Sequence, residues 1–292
     1  MHPHRTHDRL AYSTAVAHAR AGLARGTRTA RTHHPHTKRR NQATEAPMDP
    51  SQHDAARRTG TPGAERAPWL AGRAPAALWP PHFGAAIFDF DGTISDTADL
   101  WRKVDEAFLG SRGFQVPADY ARTLSVLGFE AGARYTIERF GLRESVEDIC
   151  DEWNAMGRAL YRDEARLRPG AEAYIRALRR RGVHVALATT NDPDVLNSMR
   201  GIDMEALFET RVHGKDVPVP KSKPDIYLEA ARRLGAAPAD CIVFEDITVG
   251  IRSARGAGML TCGVRSNDPV QDEEEVREAA DLFLEDWRDI AL

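Results

Sequence analysis

At 292 residues, 42% hydrophobic and 28% charged, the chain has the composition of a soluble globular protein with room for one large domain or two modest ones. A formal net charge of −3 implies no polyanionic partner, and no run approaches the roughly 18 consecutive apolar residues of a membrane span, so neither nucleic acid nor membrane is expected. Cys150, Cys241 and Cys262 are odd in number and widely spaced, which fits reduced thiols in the cytoplasm better than a disulfide framework or a zinc site.

The average charge hides an asymmetry. Residues 1–44 hold nine Lys or Arg, seven His and one acid, Asp8, and a Pro-, Ala-, Thr- and Gly-rich texture continues to about Pro81. Such a segment buries too little apolar surface to offset its ordering entropy, so residues 1–82 are expected to be a disordered tail. Its many His and Pro argue against a transit peptide, and its histidines have no metal-ligand spacing. Charge alone would allow a nucleic-acid arm. Met48 is an alternative start.

The folded part begins near Phe83. Ala85–Phe90 is an apolar run that ends in Asp89-Phe90-Asp91-Gly92-Thr93. Carboxylates at the tip of a buried strand are how an open α/β sheet presents a site, and a strand-like backbone would send Asp89 and Asp91 to one side. Two acids so placed repel unless a cation or a shared proton settles the charge, which points to metal chemistry on an anionic substrate. From about Thr97 to Leu167 only helical periodicity follows: Leu100, Trp101, Val104 and Phe108, then Val146, Ile149, Trp153, Met156 and Leu160. This stretch is expected to be a helical subdomain over the site, with Pro169-Gly170 marking the return.

Beyond it, strand-like runs at His184–Thr190, Cys241–Asp246, Met259–Val264 and Asp281–Glu285 alternate with amphipathic stretches such as Ala171–Arg181 and Pro224–Leu234, closed by Gly182 and Gly235. The alternation predicts an α/β fold: a Rossmann-like parallel sheet with helices on both faces, plus the inserted helical cap. The expected boundaries are 83–96 and 168–292 for the core and 97–167 for the cap.

Three further tips carry chemistry. Thr189-Thr190-Asn191 offers a hydroxyl and turn N–H groups to a phosphoryl oxygen. Pro220-Lys221-Ser222-Lys223-Pro224-Asp225 places lysine ahead of a Pro-initiated helix, where it could neutralise a carboxylate and a transferring phosphoryl group. Glu245-Asp246 ends a strand in a second acidic pair suited to a hard cation such as Mg²⁺. Taken singly, each has a plain structural reading as a turn, a strand end, a solvated lysine or an acidic loop. Their order is more specific.

Asp-x-Asp-Gly-Thr, then strand-Thr, then Lys before Pro-Asp, then strand-Glu-Asp resembles the four motifs of the haloacid dehalogenase superfamily, over roughly seven-tenths of the chain. The helical insertion after the first motif, with Phe-Glu-Asp and Gly-Ile-x-x-Ala-x-x-Ala-Gly at the fourth, is similar to its phosphoglycolate phosphatase and β-phosphoglucomutase branch. The resemblance implies Asp89 as the nucleophile that becomes an aspartyl-phosphate, and Asp91 as general acid and then base. It implies Thr189 on the phosphoryl oxygens, with Thr190 and Asn191 beside it, and Lys221 bridging Asp89 and the phosphate. It implies Mg²⁺ on Asp89, the Asp91 main-chain carbonyl, Asp246 and Glu245, with Thr93 in support. The branch usually reads Lys-Pro-x-Pro-Asp. The spacing to Pro224-Asp225 favours Lys221, with Lys223 as the alternative.

Dehalogenases of the superfamily lack the acid that Asp91 supplies. Phosphonatases use a cap lysine, whereas the cap here holds only Lys103 and the loop Ser125–Glu130 holds none. A phosphomutase needs the same four motifs and a grip on a second phosphate, for which Arg102, Arg122, Arg134 and Arg139 are the candidates. A non-catalytic binding module would be expected to have lost an acid, and none is missing. The expected function is therefore a Mg²⁺-dependent phosphatase of a small phosphorylated metabolite, a sugar phosphate by analogy. It is expected to be a cytoplasmic monomer, with specificity in the cap loop around Gly128 and Phe129.

Overall fold

The computed structural model describes residues 74–292. Six strands form one sheet: β1 (Ala85–Phe88), β2 (His184–Thr189), β3 (Thr210–His213), β4 (Cys241–Glu245), β5 (Leu260–Val264) and β6 (Leu282–Leu284). Their order is β3-β2-β1-β4-β5-β6 and every pairing is parallel. From β1 the chain builds outward through β2 and β3, then crosses to β4 on the other side. The loops after β1 and β4 therefore part and leave a crevice at the strand tips.

Alternation along β1 explains why the sheet is covered on both faces. Ala86 and Phe88 point with Val185, Leu187, Ile242 and Phe244 into one apolar cluster, and Ala85 and Ile87 point with Ala186, Ala188 and Val243 into another. In the first, Phe88 stacks on Phe244 with ring centroids 4.8 Å apart. That face is closed by helix α6 (Ala171–Arg180) through Tyr174, Ile175 and Leu178. Two short helices, α7 (Pro193–Asn197) and α8 (Met204–Leu207), lead to β3. The opposite face is closed by α9 (Asp225–Leu234) through Ile226, Tyr227, Ala230 and Ala231. Helix α10 (Thr248–Gly256) follows β4, and α11 (Glu273–Ala279) precedes β6.

Between β1 and α6 lie four helices: α2 (Ala98–Gly110), α3 (Tyr120–Leu127), α4 (Phe129–Phe140) and α5 (Val146–Asp163). The chain enters and leaves this segment side by side. Ser95 bridges Leu167, the Ser95 hydroxyl donates to the Arg166 carbonyl at 2.8 Å, and Arg168 N–H donates to the Ile94 carbonyl at 2.8 Å.

Three expectations need correction. The strand runs are shorter than the apolar runs that announced them: β1 stops at Phe88 because the Phe90 carbonyl turns to accept from Ile94 and Ser95 N–H. The sequence reading missed β3, whose Thr-Arg-Val-His pairs only with β2 and so carries one buried aliphatic residue rather than an apolar run. Most of the segment expected to be a tail, residues 1–73, lies outside the described residues. Its end is ordered: α1 (Ala74–Leu78) buries Leu78 fully, and the Leu78 carbonyl accepts from Tyr174 at 3.2 Å. Among the described residues, no helix is long and apolar enough to cross a membrane.

Candidate active site

Because all strands are parallel, the tips of β1, β2 and β4 meet at one edge. Asp89 follows β1 and its N–H donates to the Phe244 carbonyl at 3.0 Å, which sets it beside Glu245 and Asp246 at the end of β4. Lys221, on the loop before α9, is 3% exposed, and its Nζ donates to Asp89 Oδ1 at 2.5 Å and also to Glu245 Oε1. The same Glu245 oxygen accepts from the Tyr227 hydroxyl at 2.8 Å, while Oε2 takes the N–H groups of Asp246 and Ile247 at 3.0 and 3.1 Å. Both oxygens of a fully buried carboxylate are thus satisfied.

Two glycines give this cluster its room. A Cβ at Gly92, where φ is +80°, would stand 1.9 Å from Asp246 Oδ2. One at Gly250 in α10 would stand 2.5 Å from the Tyr227 hydroxyl oxygen and 2.7 Å from Glu245 Oε1.

Charge is unbalanced here. Oxygen atoms of Asp89, Glu245 and Asp246 all lie within 4.8 Å of one another, against the one ammonium of Lys221. Burial, outweighing the opposing pull of Lys221 and joined by the Glu245 and Asp91 charges, pushes the Asp89 carboxyl up to about 7. Burial, and then the Asp89 and Glu245 charges, hold the Asp246 carboxyl well above the usual range. Burial alone would lower Lys221, but Asp89 and Glu245 overcome it and raise it. A set of hard oxygen donors with surplus negative charge, buried at a strand tip, fits a divalent cation such as Mg²⁺.

Asp91 is held differently. Its Oδ1 accepts from the Thr97 hydroxyl at 2.6 Å and from the Tyr161 hydroxyl of α5, and its Oδ2 accepts from Asn191 Nδ2 at 3.0 Å. Thr97 occupies the N-cap position of α2 yet caps nothing; its hydroxyl is spent on Asp91 instead. Tyr161 is itself fixed, accepting from Trp101 Nε1 at 2.8 Å and Asn191 Nδ2 at 2.9 Å. Burial raises the Asp91 carboxyl; the bonds from Thr97 and Tyr161, the charge of Lys221 and the bond from Asn191 pull it back in part.

The structure brings Asp89, Lys221, Glu245 and Asp246 into one cluster with Asp91 beside it, and Lys223, the alternative lysine, is exposed. The Asp91 side chain is not part of the three-carboxylate group. Thr189 is 1% exposed and its hydroxyl accepts from Asn191 N–H at 3.1 Å, so it braces the turn; Thr190 and Asn191 line the crevice. Thr93 is buried, with its hydroxyl unpartnered. Sequence reasoning missed Tyr161, Tyr227 and Thr97. The tyrosines sit in amphipathic helices where an aromatic reads as core, and only the third dimension shows their hydroxyls reaching carboxylates. Thr97, at a helix start, reads as a cap.

Above the cluster opens a cavity of about 370 Å³. Asp89, Asp91, Lys221 and Asp246 form one end, and Val104, Asp105, Val116, Leu124, Gly128, Phe129 and Trp153 from the helical segment line the other. Gly128 and Phe129, expected to bear on specificity, are among them.

A parallel α/β sheet with a buried lysine–carboxylate cluster and a second, neutrally bonded aspartate at its switch point defines an acid-rich phosphoryl-handling site. The family model of the haloacid dehalogenase-like hydrolases matches residues 83–258. The chain is 34% identical over 204 residues to a probable pseudouridine-5'-phosphatase of Drosophila melanogaster, covering 68% of this chain and 87% of that protein. It is 27% identical over 176 residues to a phosphorylated carbohydrates phosphatase of Thermotoga maritima, covering 60% and 82%. Among solved structures, CbbY from Rhodobacter sphaeroides in complex with phosphate superposes with a TM-score of 0.61 at 27% identity, covering 70% of this chain and 95% of that one. The chain belongs to the haloacid dehalogenase-like hydrolases, and within them it is a phosphoric monoester hydrolase.

Proposed function

We propose that the chain hydrolyses a small phosphorylated metabolite, a sugar phosphate or a close relative, in two steps through an aspartyl-phosphate on Asp89. The observation that carries this reading is the unequal bonding of the two aspartates: Asp89 touches the Lys221 ammonium, whereas Asp91 is held by Thr97, Tyr161 and Asn191, all neutral donors. A carboxylate beside a fixed cation is placed to attack an anionic phosphorus. One held by neutral donors and raised by burial is placed to give and retake a proton.

Asp89 attacks phosphorus while Asp91 passes its proton to the departing oxygen. Asp91, now ionised, takes a proton from water as that water attacks the acyl phosphate, which frees inorganic phosphate and restores Asp89. Lys221 offsets charge on Asp89 and the phosphoryl group. The carboxylates of Asp89, Glu245 and Asp246 would hold Mg²⁺, which when bound supplies positive charge to the phosphoryl oxygens. The names of the Drosophila and Thermotoga relatives support a carbohydrate-bearing leaving group.

Of the four cap arginines that a phosphomutase reading would use, only Arg102 lines the cavity, and all four have partners in the protein. Arg102 pairs with Asp99 and Glu106, Arg134 with Glu130 and Arg139 with Asp119, and Arg122 donates to the Val270 carbonyl. Assay of p-nitrophenyl phosphate with Mg²⁺ tests the proposal, with turnover expected. No turnover, or full activity in Asp89→Asn, overturns it.

A further inference from the structure

The helical end of the cavity holds one acidic side chain that the protein leaves without a partner. Asp105, on α2, is 6% exposed and lines the cavity, yet among the described residues nothing hydrogen-bonds or ion-pairs with its carboxyl. Burial, and then the like charge of Glu106, push that carboxyl up to about 7, and no described basic side chain pulls it back. Trp153, on α5, is 5% exposed and lines the same cavity, but its unpartnered indole Nε1–H is sealed from it. By contrast the neighbouring Trp101 has its Nε1–H on Tyr161. Val104, Leu124 and Phe129 line the wall around them.

A nearly buried carboxyl that faces a cavity and has no partner in the protein is costly unless something in the cavity bonds to it. A site built to be completed in this way rejects analogues that lack the matching group far better than an apolar pocket can. We propose that Asp105 is the specificity-determining residue of the cavity: the leaving group sets a neutral O–H or N–H donor on the Asp105 carboxyl, with an uncharged body against Val104, Leu124, Phe129 and Trp153. This deepens the phosphatase reading and rests on it. Sugar hydroxyls and the N–H/C=O edge of a nucleobase share this chemistry. A second phosphate does not, because it would meet the Asp105 carboxyl while the one cap arginine that lines the cavity, Arg102, is paired with Asp99 and Glu106.

The test compares kcat/KM of the full chain with Mg²⁺ on three arms: sugar phosphates, uridine 5'-monophosphate, and p-nitrophenyl phosphate, whose leaving group has no donor. Wild type is expected to prefer an ester of one of the first two arms, and the preferred arm identifies the source of the donor. Asp105→Leu should cut the preference for that ester over p-nitrophenyl phosphate about 100-fold, and Asp105→Asn less than Asp105→Leu because its amide keeps an acceptor oxygen. Thermal melting identifies any variant that fails to fold, and the near-isosteric Asp105→Asn then carries the comparison. Equal losses on all arms, no loss, or a wild-type preference for p-nitrophenyl phosphate or a cationic ester such as phosphorylcholine overturns the assignment. Absence of turnover on every arm overturns the phosphatase reading itself.

Discussion

The two ends of the cavity are built on opposite rules. At the strand tips the acids have partners from the protein: Glu245 takes four donors, Asp91 takes three, and Asp89 sits on Lys221. At the helical end Asp105 has none. A group whose bonds are all made inside the protein keeps one geometry before substrate arrives, as in-line chemistry requires. A group left open spends its bond on whatever enters. On the proposed reading, the difference gives reaction to the sheet and selection to the helices.

The sharpest way to break the comparison is at Asp89, the carboxylate proposed to attack. Asp89→Asn should lower kcat on p-nitrophenyl phosphate by about 10⁴-fold or more without lowering the melting temperature, since it removes one charge from a crowded acidic cluster. Steady-state kinetics and a thermal melt on the same sample check both halves. Next in size is Lys221→Met, which leaves Asp89 and Glu245 buried without their cation. It should cost about 3–5 kcal/mol in denaturant unfolding and roughly 10³-fold in turnover. If Lys223→Met shows this behaviour and Lys221→Met melts like wild type, the strand-tip cluster is not the fixed end.

The same division explains what could be read in the sequence. The sheet was legible where strands are buried on both faces, as in Ala-Ala-Ile-Phe of β1 or Cys-Ile-Val-Phe of β4, because continuous apolar runs have few other uses. The edge strand β3 was not, having Thr210 and Arg211 half-exposed. Asp89, Lys221, Glu245 and Asp246 could be picked out because each follows a strand or precedes a helix in a fixed order. Tyr161 and Tyr227 could not: a hydroxyl on a buried helical face looks like core until the partner carboxylate is located. Asp105 was hidden for a related reason. It lies four residues after Trp101 and three before Phe108, on the apolar face of α2, but among charged Asp99, Arg102, Lys103 and Glu106 it reads as one more surface acid.

That inward acid yields a pH test of the open end. The folded-state value of about 7 exceeds the usual 3.8, so between these pH values the folded state binds more protons than the unfolded chain. Wild-type stability should therefore fall as pH rises from about 4 to about 7, and level off above. Asp105→Asn lacks this loss, so its stability relative to wild type should grow by about 2–4 kcal/mol across that window, measured by urea unfolding at pH 5 and pH 8. A difference that is the same at both pH values means Asp105 is partnered in solution, and the two ends are then less unlike than the structure has them.

The smallest effect probes how finely the closed end is set. Tyr161 is kept protonated by its burial and by the charge of Asp91, to which it donates. Donors favour the ionised carboxylate, so Tyr161→Phe should move the Asp91 carboxyl further up from its already raised position. In the proposed mechanism Asp91 must be ionised to take the proton from water, so the acid limb of the kcat profile should shift to higher pH, and kcat near neutrality should fall about tenfold. A simple packing defect would lower kcat at every pH without moving the limb. A limb that moves with little change in unfolding free energy would show that the neutral donors tune Asp91 rather than merely hold it, because a lost contact cannot shift a titration unless the group it touched is the one titrating.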